Sequence, residues 1–270
     1  EMCIRDRYEP FIRMAAGFGE ASIKHDKERY EHKYEYCDLL ITGSGPSGLA
    51  SAYAAAKNGA RVILAEDKPR FGGSLLTSDV NIGNQTGVEW TEKIIAELKS
   101  MPNVTVKNRS QVFGYYDHNM LVMSERISDH LPKTQKYLPK QRLWYIRANE
   151  VLISSGSIER PLVFGNNDTP GVMLSSAAKE YMKVYGVLVG KKPLIFTNND
   201  SGYETAIEFK KNGVNPIILD TRSNPSSDII TEAKNLNIEI KFSYVVVAAK
   251  GYKKVCLLYT SDAADDVDCV

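Results

Sequence analysis

The sequence predicts an α/β fold built from two copies of one unit, each reading strand, tight turn, helix, strand and acid. Three observations carry that prediction. In Cys37–Asp67, Gly43-x-Gly45-x-x-Gly48 stands between the apolar run Leu39–Ile41 and a helical segment of small residues that stops at Gly59. A second apolar run, Val62–Ala65, ends on the acidic pair Glu66–Asp67. Ile195–Thr221 then repeats the layout at a constant offset: Thr197 falls on Gly43, Asn199 on Gly45, Gly202 on Gly48, Gly213 on Gly59 and Asp220 on Glu66. These are two Rossmann-like dinucleotide-binding units, the second degenerate.

Each part of the first unit has a physical task. Gly43 allows the strand-to-helix turn, Gly45 lets backbone approach a pyrophosphate, and Gly48 lets the helix pack close to the strand. Pro46 and Ser47 open the helix, whose N-terminus offers free N–H groups and a positive dipole to phosphate. Glu66 sits where a carboxylate accepts hydrogen bonds from an adenosine ribose. NAD and FAD present the same adenosine diphosphate half, so either fits this site. Phe71-Gly72-Gly73 follows where flavoproteins of this architecture wrap their cofactor, although the same residues also suit a plain Gly-Gly turn. Gly156 follows the strand Val151–Ser154.

The second unit has lost two of three glycines. Asn199 carries a side chain where bare Cα is needed, and Thr197 suits a positive-φ turn poorly. Asp220 would still suit a ribose. The expectation is a retained fold that binds nothing, with an altered nucleotide site as the alternative.

Between the units, Gln111–Tyr116 and Met120–Arg126 read as short strands joined at Tyr116–Asn119. Gln141–Ser154 completes a β-meander laid across the first sheet and supplies its return strand. His118 and His130 fall in or near turns, and His25 and His32 in a charged run; all four read as solvated. No catalytic residue and no metal site emerges. The divisions are an N-terminal linker at 8–35, the dinucleotide-binding domain with its meander at 36–170, and the degenerate domain, truncated, at 171–255. Glu1–Arg7 and Cys256–Asp266 show no helical or strand period and resemble translated sequencing adapter, so 1–7 and 256–270 read as artefact and the chain as a fragment.

Composition narrows the function. Of 270 residues, 43% are hydrophobic, enough for a sizeable core, and the formal net charge of +1 gives no reason to expect a nucleic-acid or membrane partner. The four cysteines form no CxxC pair and no metal spacing, which points to a reducing compartment and hence the cytoplasm. Cys37 reads as a buried small apolar residue.

With these residues in place, the chain resembles the alpha subunits of heterotetrameric sarcosine oxidases. The likeness lies in Tyr8–Ser22, the fingerprint with Phe71–Leu76, Phe113–His118, SDHLPK, QRLWYIRA, GSIERPLVFGNNDTPGVML and FTNNDSGYETA, over nearly all of Tyr8–Val255. One departure is VLISSGS at Val151–Ser157, where that family tends to have an ATG-type turn; Gly156 survives, so the resemblance still implies backbone passing close to the nucleotide there. The resemblance implies oxidative demethylation of sarcosine to glycine in a complex with beta, gamma and delta subunits. It implies amine oxidation at a flavin in beta, FMN at the alpha–beta interface, NAD in the alpha dinucleotide fold, and tetrahydrofolate in a later alpha domain missing here. A freestanding FAD-dependent NAD(P)H oxidoreductase with two dinucleotide domains is the alternative. The absent CxxC pair and the disabled second fingerprint stand against it. A pure assembly protein is a third reading, opposed by the intact first fingerprint.

Overall fold

The computed structural model describes residues 2–17, 19, 23–132, 137–262 and 267–269. A helix, α1 (Met2–Ala15), precedes the first unit. That unit runs β1 (Tyr30–Thr42), α2 (Pro46–Lys57), β2 (Val62–Ala65), a short hairpin of β3 (Asn81–Ile82) and β4 (Gln85–Thr86), α3 (Gly87–Ser100) and β5 (Val104–Lys107). Then come β6 (Ser110–Tyr116), β7 (Met120–Arg126) and β8 (Gln141–Ile153). The six-stranded sheet has the order β5-β2-β1-β8-β7-β6.

Helix boundaries follow from local chemistry. Pro46 takes the first helical position of α2, where its missing N–H costs nothing. Thr86 and Glu89 form a reciprocal capping box at the start of α3. α2 ends on Asn58, followed by Gly59 at φ +86°, a left-handed stop that glycine adopts without strain. Leu49, Ala52 and Ala56 of α2 and Ile94, Ile95 and Leu98 of α3 pack on Ile41, Val62 and Leu64. The small α2 residues allow that close approach.

The meander is joined to the parallel strands as well as laid over them. β1 pairs with β8 in parallel from Tyr30–Gln141 to Thr42–Ile153, so return strand and third meander strand are one element. Leu121 and Met123 of β7 and Ile146 and Ala148 of β8 thereby share a core with Leu40, Ile63 and Ala65. Cys37 lies within this core, and burial pushes its thiol pKa up to about 12. The expected 8–35 linker is corrected here. β1 begins at Tyr30 because Tyr30–Glu35 finds a partner in Gln141–Ile146, which its charged composition concealed.

The second unit runs α4 (Ser175–Tyr185), β9 (Leu194–Thr197), α5 (Ser201–Lys211), β10 (Ile217–Asp220), α6 (Asp228–Asn235) and β11 (Glu239–Phe242). Its parallel sheet is ordered β11-β10-β9, matching β5-β2-β1. Ile195 and Ile218 form its core with Ala206 and Phe209 of α5, Ile230 and Ala233 of α6, and Ala178 and Met182 of α4.

A third sheet is formed by β12 (Tyr244–Gly251), β13 (Val255–Asp262) and β14 (Val267–Cys269). The tail of the expected 36–170 domain docks on it: Gly165 bridges Ala248, and the Val255 N–H donates to the Pro170 carbonyl. The chain ends also depart from the period-free reading. α1 covers Met2–Ala15, and β13 pairs antiparallel with β12 because an apolar strand edge takes up whatever extended chain follows it. Residues 1, 263–266 and 270 of those ends lie outside the described residues. No helix among the described residues is long and apolar enough to cross a membrane.

Candidate dinucleotide site

The site forms where β1, β2 and β8 end together and α2 begins. Gly43 has φ +98°, and a Cβ there would run into the Ser154 carbonyl oxygen beyond β8. A Cβ on Gly48 would overlap the Gly43 carbonyl oxygen, which explains why helix and loop require both glycines. Gly45 differs. A Cβ built on it meets no atom within 4 Å, so this backbone faces open space. Gly45 is also the N-cap of α2 and makes no side-chain cap, leaving the first-turn N–H groups at Ser47 and Gly48 available to an anion. These residues fit a pyrophosphate: bare backbone, free donors and the positive end of a helix converge.

Glu66 lies directly beyond β2 and is 8% exposed. Its Oε2 accepts from the Ser44 N–H at 2.9 Å and the Ser44 hydroxyl at 2.5 Å, and its Oε1 accepts from the Lys68 N–H at 3.0 Å. The carboxylate is thus fixed to the glycine loop. Lys68 sends its ammonium the other way, to Glu180 of α4 at 2.6 Å. Among the described residues, no lysine or arginine forms an ion pair with Glu66.

Phe71-Gly72-Gly73 belongs to the same constellation. The Gly72 N–H donates to the Ser44 carbonyl at 3.1 Å, and a Cβ on Gly73 would stand 2.9 Å from the Gly45 Cα. Gly156, at φ +73°, follows Ser154 and Ser155, both of which border Gly43. The buried Ser154 hydroxyl has no hydrogen-bond partner. Sequence reasoning missed Ser44 and Ser154 as members of the site. Their one signal was adjacency to glycines, since a hydroxyl beside a turn carries no periodicity. His25, His32, His118 and His130 are all exposed.

The counterpart positions in the second unit are occupied from within. The Thr197 hydroxyl donates to the Asn199 carbonyl at 2.8 Å, and Asn199 Oδ1 accepts from the Ser201 N–H at 2.9 Å and the Ser201 hydroxyl at 2.6 Å. That takes a helix-start donor which in α2 is free. Asp220 was expected to suit a ribose, and the structure corrects this. It is 0% exposed and accepts from the Tyr203 hydroxyl at 2.6 Å, from Arg222 Nη2 at 2.8 Å, and from the Arg222 N–H and Nε at 3.0 Å each. Burial pushes the Asp220 pKa up, but hydrogen bonds from Arg222 and Tyr203 outweigh it and hold the carboxyl below its usual range. Burial and the neighbouring Asp220 raise the Tyr203 pKa, so its hydroxyl stays a donor.

Comparison with known proteins agrees with this geometry. The family described as FAD dependent oxidoreductase matches residues 38–126, which hold the whole glycine loop, Glu66 and the first two meander strands. The chain is 42% identical over 92% of its length to sarcosine oxidase subunit alpha of Rhizobium meliloti (strain 1021), and 35% identical over 86% to that of Corynebacterium sp. (strain P-1). It spans 25% and 24% of those relatives, about a quarter of their length. Among solved structures, the fold is similar to T. acidophilum thioredoxin reductase, with TM-score 0.64 and 17% identity over 87% of this chain and 74% of that one. That likeness is one of fold, and over nearly its whole length the chain belongs with the sarcosine oxidase alpha subunits.

Proposed function

We propose that this chain is the nucleotide-binding segment of a flavin-dependent secondary-amine oxidase, and that Gly43, Gly45, Pro46, Ser47, Gly48, Glu66, Gly72, Gly73 and Gly156 surround the adenosine diphosphate half of a dinucleotide, FAD or NAD. The observation that carries this is the open backbone at Gly45, set at an uncapped helix start and joined through Ser44 to Glu66. When bound, FAD would supply two-electron redox chemistry, whereas NAD would serve as a held nucleotide. The protein's own contribution is positional: backbone N–H groups neutralise the pyrophosphate, Glu66 receives ribose hydroxyls, and the Gly72–Gly73 turn backs the loop.

The sarcosine oxidase relatives extend this reading to the assembly. Sarcosine is the proposed substrate and glycine the product. Beta, gamma and delta subunits are the proposed partners, with FMN at a subunit interface and tetrahydrofolate bound outside residues 1–270. Purifying the complex that contains this chain and identifying its released cofactors by mass tests the assignment. A dinucleotide released with the chain, and lost on Gly45→Val, is the expected result. A complex whose cofactor content is indifferent to Gly45→Val would refute it.

A further inference from the structure

The two units are built on one plan, and a few side chains decide their difference. Position by position, Asn199 stands for Gly45, Tyr203 for Leu49, Asp220 for Glu66 and Arg222 for Lys68. The backbone follows the plan in both: the Lys68 N–H donates to Glu66 at 3.0 Å and the Arg222 N–H to Asp220 at 3.0 Å. Beyond the backbone the copies diverge. Leu49 is an apolar core residue, whereas Tyr203 keeps the buried position and turns its hydroxyl onto the acid. Lys68 is drawn off by Glu180, whereas Arg222 folds inward and bridges Asp220 to Asp200 at 2.8 Å each. Asp200 stands where the first unit has Pro46, so this bridge ties the strand end to the helix start.

We propose that the second unit is a nucleotide fold closed by its own side chains: Asn199 fills the helix start, Tyr203 and Arg222 consume the acid, and residues 194–242 accept no free nicotinamide nucleotide. Two costs oppose entry. A phosphate must displace the Asn199 carboxamide from the Ser201 amide and would arrive beside Asp200. A ribose must take over an Asp220 carboxylate that has no exposed surface and already holds a guanidinium and a phenol. The ribose and phosphates that would face Asp220 supply no cation to replace that guanidinium.

A two-domain flavoprotein reductase needs a second open site to deliver hydride from NADH or NADPH. With Asn199, Tyr203 and Arg222 in place, residues 194–242 offer no such site. This inference rests on the dinucleotide assignment of the first unit but fails separately from it, because added nucleotide reports on residues 194–242 while the first site keeps its own cofactor.

Hydrogen exchange read by mass spectrometry on the intact complex, with NADH, NADPH or ADP added at millimolar concentration, tests the closure. The expected result is unchanged exchange at residues 197–203 and 217–222. Saturable slowing of exchange across 197–203 on adding any of the three nucleotides would overturn the proposal. Failure of the first-site assignment would instead show in the released-cofactor measurement, with these peptides still silent.

Discussion

The turn between strand and helix is built twice in this molecule, once around glycine and once around hydrogen-bonding side chains. In the first unit the loop is held from behind, by Ser154, Gly72 and Gly73, and its front is bare. In the second the loop is held from within, by Thr197, Asn199 and Ser201. Both solutions satisfy the backbone, so both fold. A binding site is what remains when the groups that stabilise a turn stand on the side away from the ligand.

Gly45→Val tests the open front most severely. A branched side chain would stand in the place of the pyrophosphate, and dinucleotide affinity should fall about a hundredfold or more, equivalent to two steps of 1.4 kcal/mol. Cofactor content per folded chain measures it. The mirror experiment is Arg222→Leu, which strips a fully buried carboxylate of its guanidinium. Removing one partner of a buried pair costs about 3–5 kcal/mol. Arg222 is about a third exposed (32%), so about 2–3 kcal/mol is expected from denaturant unfolding.

Acid distinguishes the native protein from that variant. The Asp220 pKa is held low, so its contribution is present above the unfolded value of about 3.9 and is lost as pH falls through the lower folded value. Without Arg222, burial dominates and the carboxyl pKa rises, so acidification should narrow the stability gap between the two proteins. A gap that widens as pH falls below about 5 would contradict this account.

Glu66→Gln sharpens the comparison at the ribose. Loss of a charged acceptor should weaken dinucleotide binding by about 1.5–3 kcal/mol. The native carboxylate should also disfavour a 2′-phosphate, making NADP a much weaker ligand than NAD; equal affinities in a titration would remove Glu66 from this role. The smallest effect belongs to Glu180→Gln. Its partner Lys68 is half exposed, and such surface pairs contribute about 0.2–1 kcal/mol. Freed from Glu180, Lys68 should drift toward Glu66, bringing the first site slightly closer to the second. A NAD:NADP affinity ratio that does not decrease would show that Glu180 plays no part in keeping the acid bare.

The parts of the fold that repeat at a fixed spacing were legible in the sequence. Thr197, Asn199, Gly202, Gly213 and Asp220 fell on their counterparts, and the strand orders match. For the second unit the sequence showed the missing glycines but not the side-chain contacts that fill its turn. Asp220 was judged by residue type at a strand end. Its true state depends on Tyr203 and Arg222, whose side chains carry no motif. β1 was cut short for a related reason. YEHKYEY has the alternation of a strand, but its charges suggested solvent, and the register with Gln141–Arg147 was not visible locally. The Phe71-Gly72-Gly73 segment read equally as a cofactor wrap or a plain turn, whereas its contact with Gly45 required the fold.

The union of β1 with β8 also sets a schedule for the growing chain. β1 is synthesised early, yet along one whole edge its partner is Gln141–Ile153, encoded roughly a hundred residues later. At about 5–20 residues per second, that edge waits on the order of ten seconds while β2 and β5 are already available on the other side. Pairing so distant in sequence is slow to close and leaves a template for foreign strands meanwhile. Glu31, Lys33 and Glu35 put charges along the first half of β1, the kind of residue that blunts an unpaired strand edge while its partner is still to be made.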